Sequence, residues 1–275
     1  FGMEIINRRR KAFSVAVEIL RNVKRVRGRV HRKAFKAYYP VKQHAHAAYF
    51  LPGVDMHPMI AGSAFVREHG VYVRRISGRF LKSNVVPNEV EIGYVVPGDG
   101  EEVDYDEGLT ELIKLLLPLT RTVIATERFS EFGVTITPNL YSADGEKHRV
   151  VLDVRAMVME GSTVRRSFLE VAKELGLDIE VHVKDSGGGY VYTPRTLPLV
   201  EAFVKALREI GEEAVVSEAA GASDSRYFTI YGIEAVDFGP RGASIHGIDE
   251  YVEIGSLSKL PTIYTKTVLH LVKQR

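Results

Sequence analysis

Apolar and polar positions alternate, as in a half-buried strand, over Ala12–Ile19, Ala34–Val41, Tyr72–Ile76 and Glu89–Val96. Between and after these runs the spacing lengthens to that of amphipathic helices, over Asp55–Glu68 and Leu109–Ile124. A second round follows, with strands at Val134–Thr137, Arg149–Val154 and Ile179–Val183 and a helix at Ser162–Leu175. Two β-rich units, each carrying helices on one face, make an α+β layer. They divide as 1–98 and 108–188, and the acidic, glycine-containing stretch Asp99–Glu107 between them reads as an exposed connection. Ser186-Gly187-Gly188-Gly189 is a linker, because three successive glycines add backbone freedom that no packed element wants. Neither a Lys-Ser/Thr nor a strand–helix context accompanies it, so it is not a phosphate loop. Beyond it come a helix at Leu197–Ile210 with Pro198 in its first turn, strands at Glu213–Val216 and Ile233–Phe238, and a last helix at Ser256–Val272. The expected fold class is α/β: an α+β domain over 1–188 and, over 189–275, part of a mixed, mostly parallel sheet with helices.

Composition narrows the chemistry. The 275 residues are enough for one large domain or two ordinary ones, and 45% apolar with 26% charged residues is a globular profile. Cysteine is absent, so a metal would bind through His, Asp or Glu. No run of about 18 apolar residues indicates a membrane span, and no apolar core follows the first basic residues as in a signal peptide, which makes the cytoplasm the expected location. The net charge of +2 is unevenly spread. Residues 1–45 hold thirteen Lys or Arg against Glu4 and Glu18, a local +11. Such a face could attract nucleic acid, but charged positions alternating with Val, Ile and Ala are also what a solvated strand face requires.

The segment 221–250 is densest in chemistry. Gly221-Ala222-Ser223-Asp224-Ser225-Arg226 forms a small-residue turn, the apolar run Ile233–Phe238 follows, and Gly239-Pro240-Arg241-Gly242 ends that run. His246 then stands just beyond the carboxyl end of a strand, where open α/β sheets place ligands, ahead of Asp249-Glu250. This ordered pattern resembles the C-terminal signature of the co-catalytic zinc aminoacylase and carboxypeptidase family, which includes acetylornithine deacetylase, succinyl-diaminopimelate desuccinylase, carboxypeptidase G and several dipeptidases. His46-Ala47-Ala48 with Gly53-Val54-Asp55, Asn84-Val85-Val86-Pro87, and Asp153-Val154-Arg155 at a strand end extend the resemblance over most of the chain. It implies that 1–188 is a lid of the dimerisation type and that 189–275 is the C-terminal part of the catalytic domain. It also implies a zinc ligand in His246, an oxyanion-stabilising donor in His46, and a substrate-carboxylate clamp in Arg155. Asn139, after Thr135-Ile136-Thr137-Pro138, resembles the substrate-binding Asn of the dipeptidase branch, although an Asn after Pro is also a common turn residue. Ser223, Asp224 and Arg226 either line the substrate pocket or fix the turn through local hydrogen bonds, and Gly242 and Ser244 would let backbone approach a substrate carboxylate.

The family's site holds two zinc ions, bridged by a carboxylate and a water that the metals acidify, with a Glu as proton acceptor. None of the nine histidines has Asp two positions later, and the Glu-Glu pairs Glu101-Glu102 and Glu212-Glu213 read as solvated charges. Compared with the family, the chain is therefore expected to begin at the entrance to the lid, to bind zinc weakly or not at all by itself, and to be inert alone. It is expected to self-associate or to pair with the N-terminal part of the catalytic domain. The whole protein is expected to be a zinc-dependent hydrolase of an amide bond in a dipeptide or N-acyl amino acid, and the doubled lid resembles the dipeptidase branch. The alternative is a non-catalytic binding or assembly module whose basic first 45 residues contact nucleic acid or another acidic partner.

Overall fold

The computed structural model describes residues 2–41, 46–243 and 249–273, and these form two compact units. The smaller comprises 1–11, 128–131 and 187–275; the larger comprises 12–127 and 132–186. Elements are numbered in chain order.

In the smaller unit, β1 (Glu4–Arg9) lies between β10 (Val191–Tyr192), antiparallel to it, and β11 (Val215–Ala219), parallel to it. Helices α4 (Pro198–Glu209) and α7 (Leu260–Lys273) supply the apolar side chains that meet this sheet. Met3, Ile5, Val200, Phe203, Ala206, Leu207 and Ile263 form one buried cluster, with Val236 and Phe238 packed against it. The smaller unit resumes at Gly187 and also takes in residues 1–11. The pairing of β1 with β11 draws them here. The strand expected at Ile233–Phe238 is absent. Asp237 makes one antiparallel bridge to Ile6, and Ile233 is exposed. Only Val236 and Phe238 of that run reach the core, so half of its apolar pattern has nothing to cover.

The larger unit carries two four-stranded sheets. One is ordered β4 (Tyr72–Gly78), β5 (Glu89–Pro97), β3 (Val23–Lys36), β6 (Glu101–Asp106), and is antiparallel throughout. The other is ordered β7 (Thr135–Ala143), β8 (Lys147–Ala156), β2 (Lys11–Leu20), β9 (Glu180–Asp185). Two sheets were expected, but not this partition: β2 precedes β3 by two residues yet joins the sheet of the later half. Helices α1 (Pro58–His69), α2 (Glu107–Thr120) and α3 (Gly161–Glu174) bury their apolar faces in one shared core with both sheets. On α3 the buried residues Val164, Phe168 and Ala172 recur every four positions, one stripe of a helix. Helix α1 starts on the His57 cap with Pro58 at its first turn and stops at Gly70, whose φ of 60° is left-handed.

The segment 99–107, read as an exposed connection, is instead mostly strand β6, paired with β3. Its acidic side chains face the basic ones of the N-terminal region. Arg25 lies 3.0 Å from Asp104, Lys24 2.6 Å from Glu107 and Arg21 3.2 Å from Asp106. Arg21, Lys24 and Arg25 are therefore matched by carboxylates of this segment rather than offered to a polyanion.

Candidate active site

In the larger unit, the segment after residue 45 is folded around two histidines that cap short helical turns in the same way. The 3-10 turn 47–49 follows His46, whose Nδ1 accepts from Ala48 N at 3.1 Å. Its Nε2 has Asn84 Nδ2 at 3.3 Å, and because an amide nitrogen only donates while Ala48 N already donates to Nδ1, the neutral ring can accept from just one of the two. Ala47 N donates to Asn84 O at 2.9 Å, and His46 and Val85 form a β-bridge, so the His46 and Asn84 segments run side by side. His57 repeats the arrangement deeper in the unit. Its Nδ1 accepts from Met59 N at 3.2 Å, and its Nε2 therefore donates to Asn139 Oδ1 at 3.0 Å. His57 is fully buried, and that burial pushes its pKa down to about 4 against the opposing effect of Asn139, so the ring is neutral near pH 7.

Asn139, expected at the substrate, has no exposed surface. It stands in β7 where the register with β8 shifts between Pro138 and Leu140, a bulge that turns its side chain inward. Its Nδ2 donates to Ser83 O at 2.6 Å and to Thr137 Oγ1 at 3.0 Å. Both amide hydrogens and the oxygen are thus bonded within the protein. Arg155, expected as a substrate-carboxylate clamp, is 5% exposed, and its Nε and Nη2 bind Asp153 at 2.7 and 2.9 Å. The fork suited to a substrate carboxylate is already filled by an internal one.

In the smaller unit, the Gly221–Arg226 turn is organised by local bonds. Asp237 is its hub: Ser223 Oγ donates to Asp237 Oδ2 at 2.7 Å, and Arg9 Nε is paired with the same oxygen. Arg9 Nη1 also donates to Gly221 O at 2.8 Å. Arg226 opens α5 (Arg226–Thr229), donates from Nη1 to Ser223 O at 3.2 Å and from Nη2 to the Tyr227 hydroxyl at 2.9 Å, and lies over the Tyr227 ring. Ser223 and Arg226 thus make bonds within the turn, while Asp224 is exposed and contributes its carbonyl to Tyr227 N. Gly242, in β12 (Gly242–Ala243), pairs with β13 (Tyr251–Val252), and a Cβ there would stand 2.4 Å from Tyr251 O. Close backbone approach accounts for that glycine. Ser244 and His246 lie outside the described residues.

Among the described residues, one group of three metal-capable side chains occurs, Glu18, Glu180 and His182. It lies on the exposed β2–β9 strand pair, and Lys147 already sits 2.7 Å from Glu180 and 3.5 Å from Glu18. That group contains none of the residues read as zinc ligands, and its cation is a lysine. The described residues do not assemble a dinuclear metal centre.

The sequence model of peptidase family M20/M25/M40 matches residues 36–270. The chain belongs to this family. Among curated relatives of this M20/M25/M40 chain, succinyl-diaminopimelate desuccinylase of Nitrosomonas eutropha is 37% identical over 106 residues, 38% of the chain and 28% of that protein. The same enzyme of Thioalkalivibrio sulfidiphilus is 40% identical over 98 residues, 35% of the chain and 26% of that protein. The shared segments therefore span under a third of either relative's length. Aminoacylhistidine dipeptidase from Vibrio alginolyticus superposes with a TM-score of 0.72 over 97% of the chain and 62% of that structure, at 13% identity, which is a likeness of fold. The mixed α/β architecture expected from the sequence is that of the M20/M25/M40 fold, and nothing in these comparisons supports the nucleic-acid module. No helix among the described residues is long and apolar enough to cross a membrane.

Sequence reasoning missed His57 and Asp237. His57 announces itself only as the residue before Pro58 at a helix start, and Asp237 as one carboxylate inside an apolar run.

Proposed function

We propose that the whole protein to which this chain belongs hydrolyses an amide bond in a dipeptide or N-acyl amino acid, in the manner of a metal-dependent peptidase or deacylase. The family match over residues 36–270 carries this reading. Relatives named as desuccinylase and as aminoacylhistidine dipeptidase support the substrate class, each with an amide joined to an amino acid. Zinc would supply the water nucleophile there. The described residues do not bring its ligands together, and His246 is this chain's proposed contribution to the metal. The described part of the chain contributes His46. A neutral imidazole carries one ring N–H, and such a donor held by backbone contacts stabilises the oxyanion that forms as a carbonyl is attacked. A rate loss of about 100-fold is expected on removing such a donor.

The test is hydrolysis of N-succinyl amino acids and of dipeptides by the zinc-loaded whole protein, compared with His46→Ala and His246→Ala. Each variant should lose at least about 100-fold in kcat. Near wild-type turnover by His246→Ala would remove the metal-ligand reading, and by His46→Ala the oxyanion reading.

A further inference from the structure

We infer that His57 and Asn139 are positioning residues for His46, acting through the Ser83–Asn84 turn; this rests on the proposed role of His46. From Met59 to Ser83 the contacts run in one direction and each has a defined donor. Met59 N donates to His57 Nδ1 at 3.2 Å, which leaves the only ring proton on Nε2. His57 Nε2 then donates to Asn139 Oδ1 at 3.0 Å. That acceptor fixes which end of the Asn139 amide carries hydrogens, and Nδ2 donates to Ser83 O at 2.6 Å and Thr137 Oγ1 at 3.0 Å. The next residue, Asn84, receives Ala47 N on its carbonyl at 2.9 Å, its neighbour Val85 bridges to His46, and its side-chain Nδ2 lies 3.3 Å from His46 Nε2. The chain of bonds thus begins at the N-terminus of α1, crosses the bulge of β7 and ends at the ring proposed to meet the substrate.

Three features distinguish this from a buried polar cluster that only stabilises. His57 and Asn139 are 2% and 0% exposed, so neither touches solvent or substrate. A neutral His57, kept so by burial, is the form that can both accept at Nδ1 and donate at Nε2. The terminal bond is to the carbonyl of a turn residue rather than to another strand, so the bond fixes loop geometry instead of adding to a ladder. A displacement of about 1 Å at a reacting group can cost about 100-fold in rate, so a loop histidine needs such bracing.

Two substitutions separate the halves of His57. In His57→Asn the short amide oxygen can still cap Met59 N, Asn being a favoured cap, but nothing reaches Asn139. In His57→Gln the longer side chain reaches about as far as Nε2 and can donate to Asn139 Oδ1 while losing the cap. The first readout is the side-chain nitrogen NMR shifts of His46 in the 275-residue chain at pH 8, where a single fixed tautomer and an averaged one differ. The second is kcat and KM of the zinc-loaded whole protein. The expected result is that His57→Asn and Asn139→Ser move the His46 shifts toward averaged values and lower kcat about tenfold or more, with KM within about twofold. His57→Gln should restore both readouts even if it is the less stable protein.

Unchanged His46 shifts in both His57→Asn and Asn139→Ser would overturn the inference, as would His57→Gln behaving like His57→Asn. If the shifts move as expected while His46→Ala keeps full activity, the positioning stands and the oxyanion role of His46 falls. Should His57→Asn fail to fold, Asn139→Ser with His57→Gln carries the same decision, since both keep an uncharged side chain at each position.

Discussion

Replacing Asp106 should loosen the larger unit more than any single hydrogen bond would suggest, because this one carboxylate serves four neighbours. It is 4% exposed at the junction of β6 and α2. Oδ1 accepts from Leu109 N at 3.1 Å, which caps α2, and from Asn22 N at 3.2 Å, which holds the turn between β2 and β3. Oδ2 lies 3.2 Å from Arg21 Nε and 2.8 Å from His148 Nε2 on β8, so it also bridges the two sheets. Burial alone would raise its pKa, but the His148 imidazole and the two backbone N–H groups together hold it below the ordinary carboxylate value. Asp106→Ala removes the cap, about 1 kcal/mol, and strands buried donors at about 1–3 kcal/mol, for a combined loss of about 3 kcal/mol. Asp106→Asn keeps an equally good cap but gives up the charge facing Arg21 and His148, and should lose about half as much. Amide hydrogen exchange of α2 and β8 is the suitable assay, since two units need not unfold together. Protection should fall in the order wild type, Asn, Ala in both elements. Loss confined to α2, with β8 unchanged in Asp106→Ala, would refute the bridging argument.

The remaining predictions concern pH and packing. With its pKa near 4 in the fold and about 6.5 unfolded, His57 contributes stability that is complete above pH 6.5 and is lost as pH falls toward 4. Urea unfolding at pH 7 and 4.5 should therefore show wild type losing about 2 kcal/mol more than His57→Asn, and parallel losses would refute the shift. Gly108→Ala would set a Cβ 2.0 Å from Leu20 O, a backbone atom that cannot rotate aside, and should cost at least about 1–3 kcal/mol in urea midpoint. A neutral effect would mean that the β2 end and the start of α2 are farther apart than described.

What could be read from the sequence was whatever depends on near neighbours. The strands β2, β4 and β5 and the helices α1 to α4 were each expected within a few residues of their places, from apolar periodicity within a single element. Strand β3 was expected only from Ala34 onward, because Gly28 is its one fully buried residue and charged side chains occupy both faces. Its identity depends on β6, whose acidic side chains are about seventy-five residues away. The site behaves the same way. His46 was legible as a candidate, but the inward turn of Asn139 depends on a one-residue shift between β7 and β8, and the closure of Arg155 on Asp153 depends on two side chains of one strand face. Residue type and spacing carry neither of these facts.

The parting of β2 and β3 into different sheets also sets an order of assembly. Strands β3 to β6 and helices α1 and α2 span residues 23–120, and their pairings can form as soon as that stretch exists. Strand β2, with Phe13, Val15 and Val17 at most 1% exposed in the finished fold, has no sheet until β8 and β9 arrive, about 130 to 165 residues later. Strand β1 waits longer still, for β11 at residues 215–219. Closing such long loops is slow, and apolar strands left unpaired meanwhile are sticky. During synthesis residues 4–20 thus wait for strands made long after them, and a chaperone that shields that stretch meanwhile would raise the yield of folded protein more than one acting on the finished sheet of β3 to β6.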